Sequence, residues 1–129
     1  MPVRGIRGAI TVKVNNKEEI VKKTSLLLRK IVSENKLKID DIASVIFSVT
    51  EDLNAEFPAV AARKLGWLYT PLLCTYEINV PGSLKKCVRV LLHVNSPLKQ
   101  SQIKNIYLDN AKKLRPDLSI QKKSAYYVS

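Results

Sequence analysis

The stretch Leu72–Val94, LLCTYEINVPGSLKKCVRVLLHV, constrains this 129-residue chain more than any other. It reads as two strands joined by a turn at Val80-Pro81-Gly82-Ser83, because Pro and Gly together mark a chain reversal. Alternation along the second arm, Lys86–Val94, sets Val88, Val90, Leu92 and Val94 on one face. Cys87, Arg89, Leu91 and His93 take the other. Arg89 is therefore a guanidinium in the middle of an apolar, β-branched strand, where an unpaired charge is costly to bury. Glu77 interrupts the equally apolar first arm. Opposite charges on neighbouring rigid strands can pre-position a polar ligand. A cross-strand ion pair, or an arginine at a subunit interface, explains the same two residues and is the commoner arrangement.

A chain of this length suits one domain and buries about two thirds of its surface. Nearly half of its residues are hydrophobic, at 46%, with only 4 Gly and 6 Pro, so it is globular. No apolar run reaches the roughly 20 residues of a membrane span, and MPVRGIRGAI lacks a signal-peptide core. Cys74 and Cys87 sit in strand patterns without metal-ligand spacing, beside a single His, so no metal is expected. The economical reading is a cytoplasmic protein with reduced thiols.

Taken in order, Pro2–Val14 is strand-like and holds Arg4 and Arg7 at opposite parity. Only a bulge at Gly5 or Gly8 would turn both to one ligand; otherwise they are ordinary edge-strand arginines. Asn15–Lys36 is the clearest helix, with Asn16 as cap, Glu19 three residues on, and an apolar stripe of Ile20, Leu27, Leu28, Ile31 and Val32. Asp40-Asp41 falls in a connecting loop and suits capping or solvent better than a metal. Ala43–Val49 is a short buried strand, and Thr50–Asn54 a polar crossover. Pro58 and Gly66 punctuate a short helix that carries Arg63 near its C-terminus. Ser101–Lys113 shows Ile103, Ile106, Tyr107 and Asn110 at mostly helical spacing, with Ala111–Leu114 open to a last edge strand instead. Pro116 ends regular structure, and Gln121–Ser129 reads as a mobile tail.

Several of these stretches together resemble the small, monofunctional chorismate mutases of the AroH type. They are RGIRGA at Arg4–Ala9, FPA at Phe57–Ala59 with Arg63, GW at Gly66-Trp67, LKKCVRV at Leu84–Val90, YL at Tyr107-Leu108 and LRPDL at Leu114–Leu118. Each piece is weak alone; their order over roughly Val3–Leu118 carries the match. The resemblance implies an α+β fold: a single chorismate mutase-like domain over residues 1–118, ahead of a tail at 119–129. Its mixed five-stranded sheet has a long helix on one face. Three subunits form a pseudo-barrel homotrimer with active sites in the clefts between them. It implies the Claisen rearrangement of chorismate to prephenate, on the route to phenylalanine and tyrosine, with no metal or cofactor. Arg89 would face the breaking ether oxygen. Glu77 would accept from the ring hydroxyl, with Cys74 beside it. Arg7 and Tyr107 would hold a carboxylate, and Phe57, Ala59 and Leu73 would form the apolar wall. Arg63 and Arg115 would stand at the cleft mouth, with Leu114 in the substrate-binding set. The resemblance reverses the preference on Arg89 and Glu77.

This chain departs from the pattern at Val60, where some members carry Lys, and Lys64–Trp67 is one residue shorter than in a related sequence. Two alternatives differ in class. An imine-deaminase-like enzyme on a similar trimeric fold is opposed by the Arg4–Ala9 and Leu84–Val90 motifs. A nucleic-acid-binding module is suggested by the net charge of +11. The lysines, however, are scattered over presumed polar faces and are not interleaved with aromatics. A solvated surface that also attracts an anionic small molecule accounts for them. That reading expects mixed DNA and RNA to show no steep salt-dependent binding. A salt titration with a slope set by several phosphate contacts would contradict it.

Overall fold

A computed structural model describes residues 1–114. Arg115 and the tail expected at 119–129 lie outside the described residues. Five strands form one mixed sheet: β1 (Val3–Thr11), β2 (Ile42–Val49), β3 (Leu72–Tyr76), β4 (Cys87–Asn95) and β5 (Ile106–Leu108). Their spatial order is β3-β2-β4-β1-β5. β4 runs antiparallel to both β1 and β2, while β3 is parallel to β2 and β5 parallel to β1.

The long helix α1 (Lys17–Asn35) begins where expected. The Asn16 side chain accepts from the Glu19 N–H at 2.8 Å, and Glu18 and Glu19 occupy the first turn. Its buried stripe of Ile20, Leu27, Leu28 and Ile31 lies on the sheet face formed by Ile6, Ile10, Val88, Val90, Leu92, Val45 and Phe47. The short helix α2 (Ala59–Lys64) follows Pro58, and Gly66 takes a φ of 90° just beyond it. It lies between β2 and β3 in the chain, as a parallel pair requires. Trp67, at its end, is buried in the same core.

Several expectations fail. Leu72–Val94 is not a hairpin, because β2 lies between its two arms. The turn does reverse the chain, with Gly82 at a φ of 80°. Its loop, though, runs past Thr50–Asp52 at the end of β2 before β4 begins. Ser101–Lys113 is not a helix. Gln100–Gln102 and Asp109–Leu114 are 3-10 turns flanking the three-residue β5, so the last strand is Ile106–Leu108 and not Ala111–Leu114. Asp40-Asp41 likewise belongs to a 3-10 turn, Ile39–Asp41. The β1–β4 register runs unbroken from Val3 to Thr11, so no bulge brings Arg4 and Arg7 to one face. Nor is β1 an edge strand, since it stands between β4 and β5.

α1 leaves the other face of the sheet uncovered. There Ala9, Cys87, Tyr107, Ala111 and Leu114 form a second, smaller cluster with Leu84. Gly8 sits on the opposite, helix-facing side, where a β-carbon would stand 2.7 Å from Ile31 Cδ1 and 3.2 Å from the Ile106 carbonyl oxygen. Gly8→Ala is therefore expected to lower the unfolding free energy by about 1–3 kcal/mol, measured by denaturant titration. An unchanged midpoint would show that α1 can move away freely.

Candidate active site

Strand register assembles a row of residues on the face that α1 leaves open. Tyr107 on β5 pairs with Ala9 on β1, Ala9 with Arg89 on β4, Arg89 with Ser48 on β2, and Ser48 with Thr75 on β3. Register partners share a face, so Arg89 is the centre of a five-strand line. Both of its immediate neighbours are small. The next row holds Arg7, Leu91, Ile46 and Leu73. Arg7 thus lies diagonal to Arg89, while Leu73 stands three strand spacings from Arg7.

The Arg89 side chain is 12% exposed. Its Nε lies 3.2 Å from Glu77 Oε2, so the cross-strand ion pair is present. The contact lacks hydrogen-bond alignment, and Arg89 Nε is a buried donor without a hydrogen-bond partner among the described residues. The Tyr107 hydroxyl is a second such atom. Glu77 lies one residue past β3, and its N–H extends the ladder to the Val49 carbonyl at 2.8 Å. Its carboxylate accepts from Ser48 Oγ and from the Ile78 N–H, each at 3.2 Å.

The start of β4 is pinned from below. The Asp52 carboxylate accepts from the Lys86 N–H at 3.0 Å, and Thr50 Oγ1 accepts from the Cys87 N–H at 3.0 Å. Lys86 is thereby held at a φ of 50°, a left-handed conformation costly for a non-glycine residue. Cys87 follows, buried beside Arg89. Burial pushes its thiol from 9.0 up to about 11, against the opposing pull of the guanidinium.

The remaining candidates lie elsewhere on the chain. Cys74 has the opposite parity to Glu77 and is not beside it. It shares a cavity of about 370 Å³ with Phe57, Tyr76 and Lys17. Burial raises its thiol, opposed by the Ala59 N–H. Glu77 lines a different cavity of about 460 Å³, with Thr50, Asp52 and the loop 78–85. Phe57 and Leu73 are exposed, at 70% and 58%. Arg63 folds back to donate to the Trp67 and Leu68 carbonyls at 2.7 and 2.9 Å. Leu114 is buried in the smaller cluster with Tyr107 and Ala9. One chain therefore brings Arg89, Glu77, Tyr107 and Arg7 onto one face, and leaves Cys74, Phe57 and Arg63 apart from them. Ser48 and Cys87 at the site were not singled out from sequence. Ser48 was findable as one of two hydroxyls, with Ser44, flanking Ile46 on an otherwise apolar strand, and Cys87 by its shared parity with Arg89.

Residues 3–118 match the family described as "Chorismate mutase type I". The chain belongs to that family. It is 49% identical to "Chorismate mutase AroH" of Bacillus subtilis over 123 residues, covering 95% of this chain and 97% of the relative. To "Chorismate mutase AroH" of Thermus thermophilus it is 47% identical over 117 residues, covering 90% and 96%. The solved structure of a chorismate mutase from Clostridium thermocellum superposes with a TM-score of 0.84 at 53% identity, covering 85% of this chain and 98% of that one. Membership of the chorismate mutase family makes the chain an isomerase and leaves the deaminase and nucleic-acid alternatives unsupported. No helix among the described residues is long and apolar enough to cross a membrane.

The Cys87 thiol gives a pH prediction. Below pH 9 the unfolded and folded chains both keep the proton, and this contribution to stability is fully present. Above it the unfolded chain loses its proton first, so stability falls until the folded thiol titrates near 11. Cys87→Ala should flatten the decline in unfolding free energy between these limits, by up to about 1.4 kcal/mol per pH unit. Identical slopes in the two proteins would refute the assignment.

Proposed function

We propose that this chain rearranges chorismate to prephenate in a cleft between subunits of a homotrimer, with Arg89 and Glu77 at its centre. The observation that carries the reading is Arg89 itself. It is a nearly buried guanidinium, mid-sheet, whose Nε has a counter-charge but no aligned hydrogen bond among the described residues. A concerted [3,3] shift breaks a C–O bond and forms a C–C bond with no proton to transfer. What accelerates it is the compact conformer of the dicarboxylate and positive charge where the ether oxygen becomes negative. Arg89 supplies the charge from a site where water cannot screen it. One fixed donor of this kind lowers a barrier by about 3–4 kcal/mol.

In this reading Glu77 accepts from the ring hydroxyl. Arg7 and the Tyr107 hydroxyl, which has no hydrogen-bond partner among the described residues, take a carboxylate. Phe57, Ala59, Leu73 and Cys74 are the apolar wall, and Arg63, Leu114 and Arg115 lie towards the mouth. Of these wall residues Phe57 and Leu73 are exposed, and none neighbours Arg89 within one chain, which favours a cleft closed by a second copy. So does an apolar band along the β3 edge, where Leu68, Tyr69, Leu73, Tyr76, Ile78 and Val80 are all exposed, Tyr69 at 96%. Monomers rarely leave such a patch bare, and it suits the pseudo-barrel trimer. The net charge of +11 draws a dianionic substrate to the surface. The reading also expects a cytoplasmic protein in aromatic amino-acid synthesis that works without metal or cofactor.

Purified protein should deplete chorismate in the presence of a chelator. Arg89→Ala should lose most of that rate while sedimenting as the same trimer. Full activity in Arg89→Ala would remove Arg89 from the mechanism, and a monomeric active wild type would remove the intersubunit cleft.

A further inference from the structure

We infer that Ser48 is a positioning residue of this site. Its hydroxyl holds the Glu77 carboxylate against Arg89 and leaves the far end of the guanidinium for the ligand. The inference rests on the roles given above to Arg89 and Glu77. Ser48 is the cross-strand neighbour of Arg89 on β2, and its Oγ donates to Glu77 Oε2 at 3.2 Å. The same carboxylate oxygen stands 3.2 Å from Arg89 Nε. Oε1 accepts from the Ile78 N–H, also at 3.2 Å. Each oxygen of the carboxylate is thus tied to a donor fixed by the backbone or by a short side chain.

Glu77 needs such ties. It lies past the end of β3, an edge strand, and its side chain is 27% exposed on a stem with three rotatable bonds. Arg89 does not fix its orientation, because Nε is not aligned for a hydrogen bond. The Ile78 N–H is the next residue's own and lies in the loop beyond β3. Ser48 is the one donor to this carboxylate, among the described residues, that belongs to a central strand. Its residue type is also not explained by strand formation, which at this place in VIFSV favours a β-branched side chain.

The test is steady-state kinetics on chorismate for wild type, Ser48→Ala, Ser48→Thr, Glu77→Ala and the Ser48→Ala/Glu77→Ala double variant, each with its melting temperature. Loss of a hydrogen bond to a carboxylate should lower kcat about tenfold in Ser48→Ala, with a much smaller change in KM and in melting temperature. Ser48→Thr, which keeps the hydroxyl, should recover most of the rate. Against Glu77→Ala, Ser48→Ala should add almost nothing, since the hydroxyl acts through that carboxylate. An unaffected kcat in Ser48→Ala overturns the inference, as does an equal loss that persists without Glu77. An active wild type with either result leaves the mutase reading standing. A wild type that leaves chorismate untouched overturns both.

Discussion

The structure depends on keeping one positive charge almost dry. Arg89 sits on the central strand of the sheet, between the small side chains of Ala9 on β1 and Ser48 on β2. Burial of an isolated guanidinium is strongly unfavourable, and a single carboxylate 3.2 Å away only partly offsets it. The shortfall is tolerated because the rest of the fold is ordinary and well packed. α1 covers one face with a continuous core. The Asp52–Thr50 network fixes the first residues of β4, so Arg89 cannot slide out of register. A site that is costly in the resting protein is a site whose charge is already desolvated when the reaction needs it.

The same sheet sets only small side chains directly beside Arg89. The row through Arg89 is short of large side chains, with Ala9 and Ser48 on either side. In the proposed reading the walls of the site are Phe57, which lines a separate cavity with Cys74, and Leu73, which shares the open face but stands on the far edge strand. Combined with the exposed apolar band at β3, this geometry favours the proposed cleft closed by a second copy. In the proposed reading the subunit holds the charges, and a neighbouring copy supplies the enclosure that keeps water from them.

Much of this was legible in sequence wherever local chemistry decides the outcome. Asn16 and Glu19 fixed the start of α1, and the stripe from Ile20 to Ile31 fixed its buried face. Alternation along Cys87–Val94 placed Arg89 on the correct side of β4. The failures share one cause: partners distant in sequence. Val80–Ser83 reports that the chain turns, but not that β2 intervenes between the two arms. A three-residue strand has no measurable period, so Ile103, Ile106 and Tyr107 mimic a helix; β5 is a strand because β1 offers it an edge. The opposite parity of Cys74 and Glu77 was readable and holds in space, one on each side of the sheet. That Ser48 stands beside Arg89 is a matter of register, which no local pattern reveals.

The central claim is that Arg89 acts on the transition state through its rigid guanidinium and not as a general attractor of anions. Pre-steady-state and steady-state kinetics of Arg89→Lys separate the two, because lysine keeps the charge and loses the fork. The account predicts a fall in kcat of about a hundredfold or more, with substrate affinity changed far less. A variant that keeps kcat and loses only affinity would contradict it.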